Sequence, residues 1–471
     1  MARSFEMDLT KGPLLKQIIL YSLPIVGVNL LQLLFNAADV AVLGIFASDA
    51  AVGAVGATTH LINLIIGFFV GLTVSANVFV ARYKGAGDKE RANRFISTAF
   101  TMGIIFGIAL IFVGVFGARI FLTWMKCPDS LIDMATTYLQ IYFLGMPLII
   151  LYNFCASILR AVGDTLRPLI FLAIGGVLNI GLNIFFITVL GKDVEGVAIA
   201  TVASQGFSAI MSIIVLVRGK GFATLNLKKL RIHKRELLEI LRVGVPTGLQ
   251  RCMFSISNVV MASTLNGFGD VVVTANTIAH QFDAIVHDVA AGFAVSSMAF
   301  VSQNLGARNY KRIWASIRTN LLVTSVAGFG LGVLAIIFAA PLCDIMTDSE
   351  EVIRYGVTRL NITCWFYVFC SIYSVFANVL HALKKAFVSM IGVMACTVGF
   401  RLIFVWTIFP LNPIIEMYYA TYVISWVLCA VVMASIAIPL MKKNQRNYEK
   451  RKAEEQARLN LEQEQTETQS A

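Results

Sequence analysis

Stretches of 18 to 32 residues without one Asp, Glu, Lys or Arg recur along this chain. They occupy residues 17–38, 50–81, 95–118, 134–159, 168–191 and 196–217, and later 252–269, 289–307, 319–343, 360–383 and 417–441. A bilayer core of about 30 Å is crossed by roughly 20 apolar residues in a helix, so most of these runs suffice alone. Residues 239–268, 271–300 and 386–410 read as spans interrupted by a few ionisable groups. The pattern predicts an all-α integral membrane protein of twelve transmembrane helices. They are placed near 17–43, 52–80, 95–118, 132–158, 168–190, 196–217, 239–266, 271–300, 317–340, 353–381, 386–409 and 414–440. A water-soluble fold is excluded, because charged residues are only 14% of the chain, against about 25% in soluble domains.

Basic residues test the count. With the N-terminus assigned to the cytoplasm, the segments that alternation puts inside hold 31 of the 38 Lys and Arg residues. The outside segments hold Arg119, Lys126, Lys192, Arg354 and Arg359, and two more, Arg251 and Arg401, fall inside helices. This asymmetry follows the positive-inside rule and sets both termini in the cytoplasm. The net charge of +11 is thus a topological signal, and no nucleic-acid partner is expected. The first sixteen residues lack the pattern of a cleaved signal peptide. The eight cysteines form no CxxC and read as small core residues.

The sequence also repeats. Leu23-Pro24 corresponds to Val245-Pro246 and Asn36 to Asn258, both at an offset of 222. Phe79-Val80-Ala81-Arg82-Tyr83-Lys84-Gly85-Ala86 corresponds to Phe300-Val301-Ser302-Gln303-Asn304-Leu305-Gly306-Ala307 at an offset of 221, as Leu159-Arg160-Ala161 does to Leu380-His381-Ala382. Six helices per copy is an even number, so the copies are parallel bundles related by an axis along the membrane normal. The predicted organisation is an N-terminal six-helix lobe at 1–217, a basic cytoplasmic linker at 218–238, a C-terminal lobe at 239–440 and a partly disordered tail at 441–471. Two facing bundles enclose a cavity suited to alternating access. No nucleotide-binding or catalytic motif is present, so the chain is not read as an enzyme, and an ion gradient is the simplest energy source.

Ionisable groups inside membrane helices are costly and point to function. In the first half this is Asp39, near the outer end of helix 1. A carboxylate in a low-dielectric site can take up and release a proton near neutral pH, or ligate Na⁺ with neighbouring oxygens. Polar company comes from Asn153 on helix 4, Asn179 and Asn183 on one face of helix 5, and Thr201 on helix 6. The second half carries Gln250 and Arg251 on helix 7, His280, Asp283 and His287 on one stripe of helix 8 with Asp288 beside it, and Arg401 on helix 11. Arg251 or Arg401 is expected to pair with Asp283 or Asp288, which reduces the cost of all four. The histidines are candidates for proton relay. A metal site would need a further ligand, and none is assigned. His60 and His381 read as packing residues.

These residues together resemble the multidrug and toxic compound extrusion family (MATE). The resemblance is carried by Gln32-Leu33-Leu34-Phe35-Asn36-Ala37-Ala38-Asp39-Val40, Asn77 to Asp88, Gly248-Leu249-Gln250, Ser302 to Ala307, Arg160 to Thr165 and Gly196 to Thr201. It spans about residues 10–440. It implies a prokaryotic inner-membrane antiporter that exports organic cations or drugs against inward H⁺ or Na⁺, without a cofactor and as a monomer surrounded by lipid. It further implies a coupling site at Asp39, Asn153, Asn179, Asn183 and Thr201. Position 183 is Asn where many relatives carry Asp, and helix 7 has Gln250 where the sodium-coupled branch has Glu, so the second-half cation site is not carried over. The alternative is a lipid-linked precursor flippase of the same superfamily, which favours a large, strongly cationic cavity.

Overall fold

The computed structural model describes residues 6–470, with the side chains of Asp49, Leu461 and 464–470 outside the description. Arg3 of the basic count lies outside the described residues. Twelve helical rods run in alternating directions. They are α1 (Leu14–Phe46), α2 (Asp49–Ala86), α3 (Lys89–Trp124), α4 (Asp129–Leu144 and Met146–Ala161), α5 (Leu166–Thr188) and α6 (Val194–Arg218). The second copy comprises α7 (Lys234–Asn266), α8 (Asp270–Gly306), α9 (Tyr310–Ile337), α10 (Glu350–Thr363 and Tyr367–Ala382), α11 (Ala386–Leu411) and α12 (Ile415–Ser470). Ten rods are long and apolar enough to cross a membrane, and α4 is an eleventh whose halves meet at 49° where Met146-Pro147 follows Gly145. The twelfth, α7, is as long, but Gly, Pro, Gln, Arg and Asn interrupt its apolar run.

Each copy packs as a bundle. In the first, α5 lies on α1 and α6, and α3 on α4; in the second, α8 lies on α9 and α10, and α10 on α12. One core cluster, from Ala275 to Met441, fills the second bundle. The bundles meet through α1 and α2 of one and α7 and α8 of the other, in contacts that obey the repeat. A methyl group on Gly71 would strike Gly248, and one on Gly292 would strike Val26. These two contacts exchange when residues are advanced by 221 or 222. About four turns further along α2 and α8, a methyl on Gly85 would strike the Gln303 carbonyl and one on Gly306 the Arg82 carbonyl. This reciprocity is the signature of a pseudo-two-fold axis, and only glycine permits so close a backbone approach.

Both ends of the described chain and the basic connections fall at one end of the bundle, here the basic end. The lobes are bolted together there. Residues 6–12 lie across both: Leu9 donates its N–H to Gln303 Oε1 (3.2 Å), Asn304 Nδ2 donates to the Leu9 carbonyl (3.1 Å), and the Arg312 guanidinium donates to the carbonyls of Leu9, Lys11 and Gly12. Gln303 Nε2 donates to Ala161 O at 2.8 Å, and Tyr83 donates its hydroxyl to Glu239. The tail, expected as a cytoplasmic helix that frays, leaves the bundle at this same end. Helix α12 continues unbroken to Ser470, pinned where it leaves the bundle by Tyr310 Oη to Asn444 Oδ1 (2.5 Å) and Trp314 Nε1 to Gln445 Oε1 (2.8 Å).

Candidate functional site: a buried carboxylate chain and a polar cleft

Asp39 lies seven residues before the end of α1, roughly 10 Å along the axis at 1.5 Å per residue. Its Oδ1 accepts from Asn183 Nδ2 at 2.5 Å. Asn183 Nδ2 also reaches Asn179 Oδ1 at 3.4 Å, and Asn179 Nδ2 reaches Thr201 Oγ1 at 3.3 Å. Four of the five expected residues from three helices thus form one hydrogen-bonded chain. Asn179 and Asn183 fall on one face because they are a helical turn apart, and both are buried. Asn153 does not join: its amide donates to Ile149 O in its own helix at 2.8 Å, which satisfies it locally. One acceptor is left over. Asn183 Oδ1 is fully buried and has no hydrogen-bond partner, a condition that costs about 1–3 kcal/mol. Turning the amide would bring that oxygen against the Asp39 carboxylate, where only a proton or a cation between the two would relieve the repulsion.

The expected pairing in the second lobe is corrected. Asp283 pairs with neither Arg251 nor Arg401; its partner is Arg359, through NH2 to Oδ2 at 2.6 Å, both side chains buried. Tyr367 donates its hydroxyl to Asp283 Oδ1, and Arg359 NH1 donates to Asn276 Oδ1. Arg359, counted with the outside segments, lies inside α10. A signal for this exists: Val352, Gly356, Arg359, Leu360 and Thr363 fall on one buried stripe at helical spacing. Arg401 donates Nε to Ser425 Oγ (3.1 Å) and lies 4.4 Å from the Tyr422 ring centroid. It sits between two π-helical turns, Met394–Gly399 and Phe404–Ile408. The helix 8 stripe divides: Asp283 turns into its lobe, while His280 and His287 are exposed. His287 Nδ1 lies 3.2 Å from Asp288 Oδ1. Gln250 is half-buried with Oε1 unpartnered. Among the described residues no group of three or more His, Cys, Asp or Glu could hold a metal ion.

Exposure sorts the remaining surface. The exposed faces of α3, α5, α9 and α11 are apolar, with Phe116 74%, Val177 71%, Val326 62% and Trp406 68% accessible, as lipid requires. On the halves of α1, α2, α7 and α8 away from the basic end, polar residues are exposed: Gln32 and Asn36, His60 and Asn63, Arg251 and Asn258, His280 and Gln281. Polar side chains at membrane depth face protein or a water-filled cavity. On the other halves of α2 and α8 the polar residues, Asn77, Ser296, Gln303 and Asn304 among them, are buried. The lobes therefore enclose a polar cleft that is closed toward the basic end and open at the opposite one. The Gly71–Gly248 and Gly292–Val26 crossings form its floor.

Comparisons with known proteins agree with this architecture. The chain is 29% identical over 381 residues to the probable multidrug resistance protein YpnP of Bacillus subtilis (strain 168), covering 80% of this chain and 84% of that protein. It is 22% identical over 363 residues to the multidrug export protein MepA of Staphylococcus aureus (strain MSSA476), covering 75% and 78%. Its fold matches a solved structure described as an outward-facing multidrug resistance MATE family transporter of the MOP superfamily, with a TM-score of 0.86, 22% identity, and coverage of 93% of this chain and 98% of that one. The MatE family model matches twice, over residues 24–185 and 246–407. Those two matches are spaced by the same 222 residues as the internal repeat and cover most of the sequence, so the chain belongs to the MatE family of membrane transporters.

Proposed function

We propose that the chain is a secondary antiporter in a prokaryotic cytoplasmic membrane. It exports small organic molecules, organic cations and drugs among them, against inward H⁺ or Na⁺, and the Asp39 chain is its coupling site. With both termini in the cytoplasm the basic end is internal and the cleft faces outward, the state in which substrate leaves and the coupling cation enters. The observation that carries the reading is the orphaned, fully buried Asn183 Oδ1 beside the Asp39 carboxylate. That pair is short of one positive charge, and a proton or Na⁺ supplies it.

The link to movement runs along α1. Its Asp39 is tied to α5 of the same lobe, and its Asn29 donates Nδ2 to the Asp288 carbonyl of the other lobe at 3.0 Å. The two ties are ten residues apart, about 15 Å along one helix. Neutralising Asp39 weakens the first tie and lets α1 move against α5 while the second holds it to α8. If the cation lowers the hold on substrate, substrate must equally lower the hold on the cation. The flippase alternative fits less well. A pyrophosphate headgroup needs several cations, and among the described cleft residues Arg251 is the one permanently charged cation, with Asp288 opposing it.

Reconstitution in vesicles tests this. A fluorescent substrate should accumulate when an H⁺ or Na⁺ gradient of the antiport sense is imposed, and an ionophore for that ion should abolish the accumulation. Uptake equal with and without either gradient would overturn the antiport reading in favour of a channel or flippase.

A further inference from the structure

Arg251, Arg359 and Arg401 lie away from the helix ends in the second lobe, and two of them are satisfied by their own bundle. Arg359 is held by Asp283 and Asn276, and Arg401 by Ser425 and the face of Tyr422. Arg251 is different. It is exposed, and its guanidinium makes no hydrogen bond and no ion pair with any described residue. Its position is fixed by the fold. It lies one turn beyond Gly248, and its Cβ faces Gly67 of α2, one turn beyond Gly71. Gly71 and Gly248 form the floor of the cleft, so Arg251 stands on that floor at the mid-depth of α7. On the second crossing, Gly292–Val26, the same one-turn step reaches Asp288 and Asn29. Asp288 Oδ1 lies 3.2 Å from His287 Nδ1.

An unpaired guanidinium at mid-membrane is expensive unless water or a ligand meets its five donors. The cleft provides the water. Its permanent cation is Arg251 and its carboxylate is Asp288, while the Asp39 carboxylate is engaged by Asn183. A purely cationic substrate finds only Asp288 to neutralise it. A molecule with an acidic group finds a free planar fork, which binds carboxylate, sulfonate or phosphate oxygens in pairs.

We propose that the exported substrate carries an acidic group that docks on Arg251 at the cleft floor, with room for an amine of the same molecule on Asp288. The substrates that Arg251 favours are then zwitterions and organic acids, over otherwise similar organic cations that lack an acidic group. This inference rests on the exporter reading and deepens it.

The test compares one rhodamine bearing its free carboxylate with the same dye as its ethyl ester. Binding is measured by fluorescence anisotropy on the purified protein and transport in vesicles. The wild-type protein should bind the carboxylate dye about tenfold more tightly than the ester, the size of one charge-assisted hydrogen-bonded pair. R251Q should abolish that preference, and R251K should restore part of it. A monodisperse gel-filtration peak and an unchanged thermal unfolding midpoint report that each variant is folded. Equal binding of the two dyes by the wild-type protein, or an equal loss of both in R251Q, would overturn the proposal. The two readings separate cleanly. Gradient-driven transport without a carboxylate preference defeats the acid-binding proposal alone. A carboxylate preference in binding without gradient-driven transport defeats the antiport reading alone.

Discussion

At the scale of residues, what distinguishes the ionisable groups is whether the bundle itself satisfies them. Asp283 and Arg359 satisfy one another, with Tyr367 and Asn276 completing their hydrogen bonds. Such a buried pair adds little net stability over an apolar pair, but removing one partner strands the other charge at about 3–5 kcal/mol. D283N should therefore lower the thermal unfolding midpoint of the purified protein by several degrees. The double variant D283N/R359Q should recover part of the loss, because it leaves no unpaired charge. A double variant less stable than D283N would contradict the pairing. Asp283 was legible in the sequence as a charge in an apolar run. Its partner Arg359 was not singled out: it falls within the span expected at 353–381 but was counted with the outside segments. The Asp39 chain was legible almost completely, since Asn179 and Asn183 share a face by spacing alone. Asn153 failed to join because a side-chain amide can be satisfied by its own preceding turn.

At the scale of elements, α2 and α8 carry the closure of the basic end. Their terminal turns meet the opposite lobe backbone to backbone at Gly85 and Gly306. Adding a methyl there overpacks the contact by roughly 1–3 kcal/mol, which moves a two-state equilibrium about tenfold. G306A should thus populate the state open at the basic end. The readout is labelling of a single cysteine at Ser302, a fully buried position, by an impermeant maleimide in a variant without the eight native cysteines. Labelling should accelerate about tenfold; unchanged labelling would contradict a role for the contact in closure. Charge-free runs gave the number and order of the helices, because lipid imposes that pattern. They did not give the 49° bend of α4 or the π-helical turns around Arg401. Those depend on which neighbours compensate the freed backbone groups. The polar tail suits a solvated helix, through (i, i+4) pairs such as Arg458 with Glu462.

At the scale of the molecule, the repeat in sequence becomes a pseudo-two-fold arrangement whose reciprocal contacts close one end and leave a polar cleft at the other. The symmetry is broken chemically. The first lobe holds a carboxylate in an incomplete amide chain, and the second holds the free guanidinium of Arg251. On the proposed mechanism this division gives coupling to one lobe and substrate charge to the other, with α1 bonded to both. The central claim is that Asp39 couples the cation to transport without itself holding the substrate. The most direct measurement sets gradient-driven accumulation against gradient-free exchange of labelled substrate, in vesicles containing wild-type protein or D39N. The account predicts that D39N keeps exchange within a few-fold of wild type and loses gradient-driven accumulation. A D39N protein that accumulates substrate under the gradient as the wild type does would contradict it.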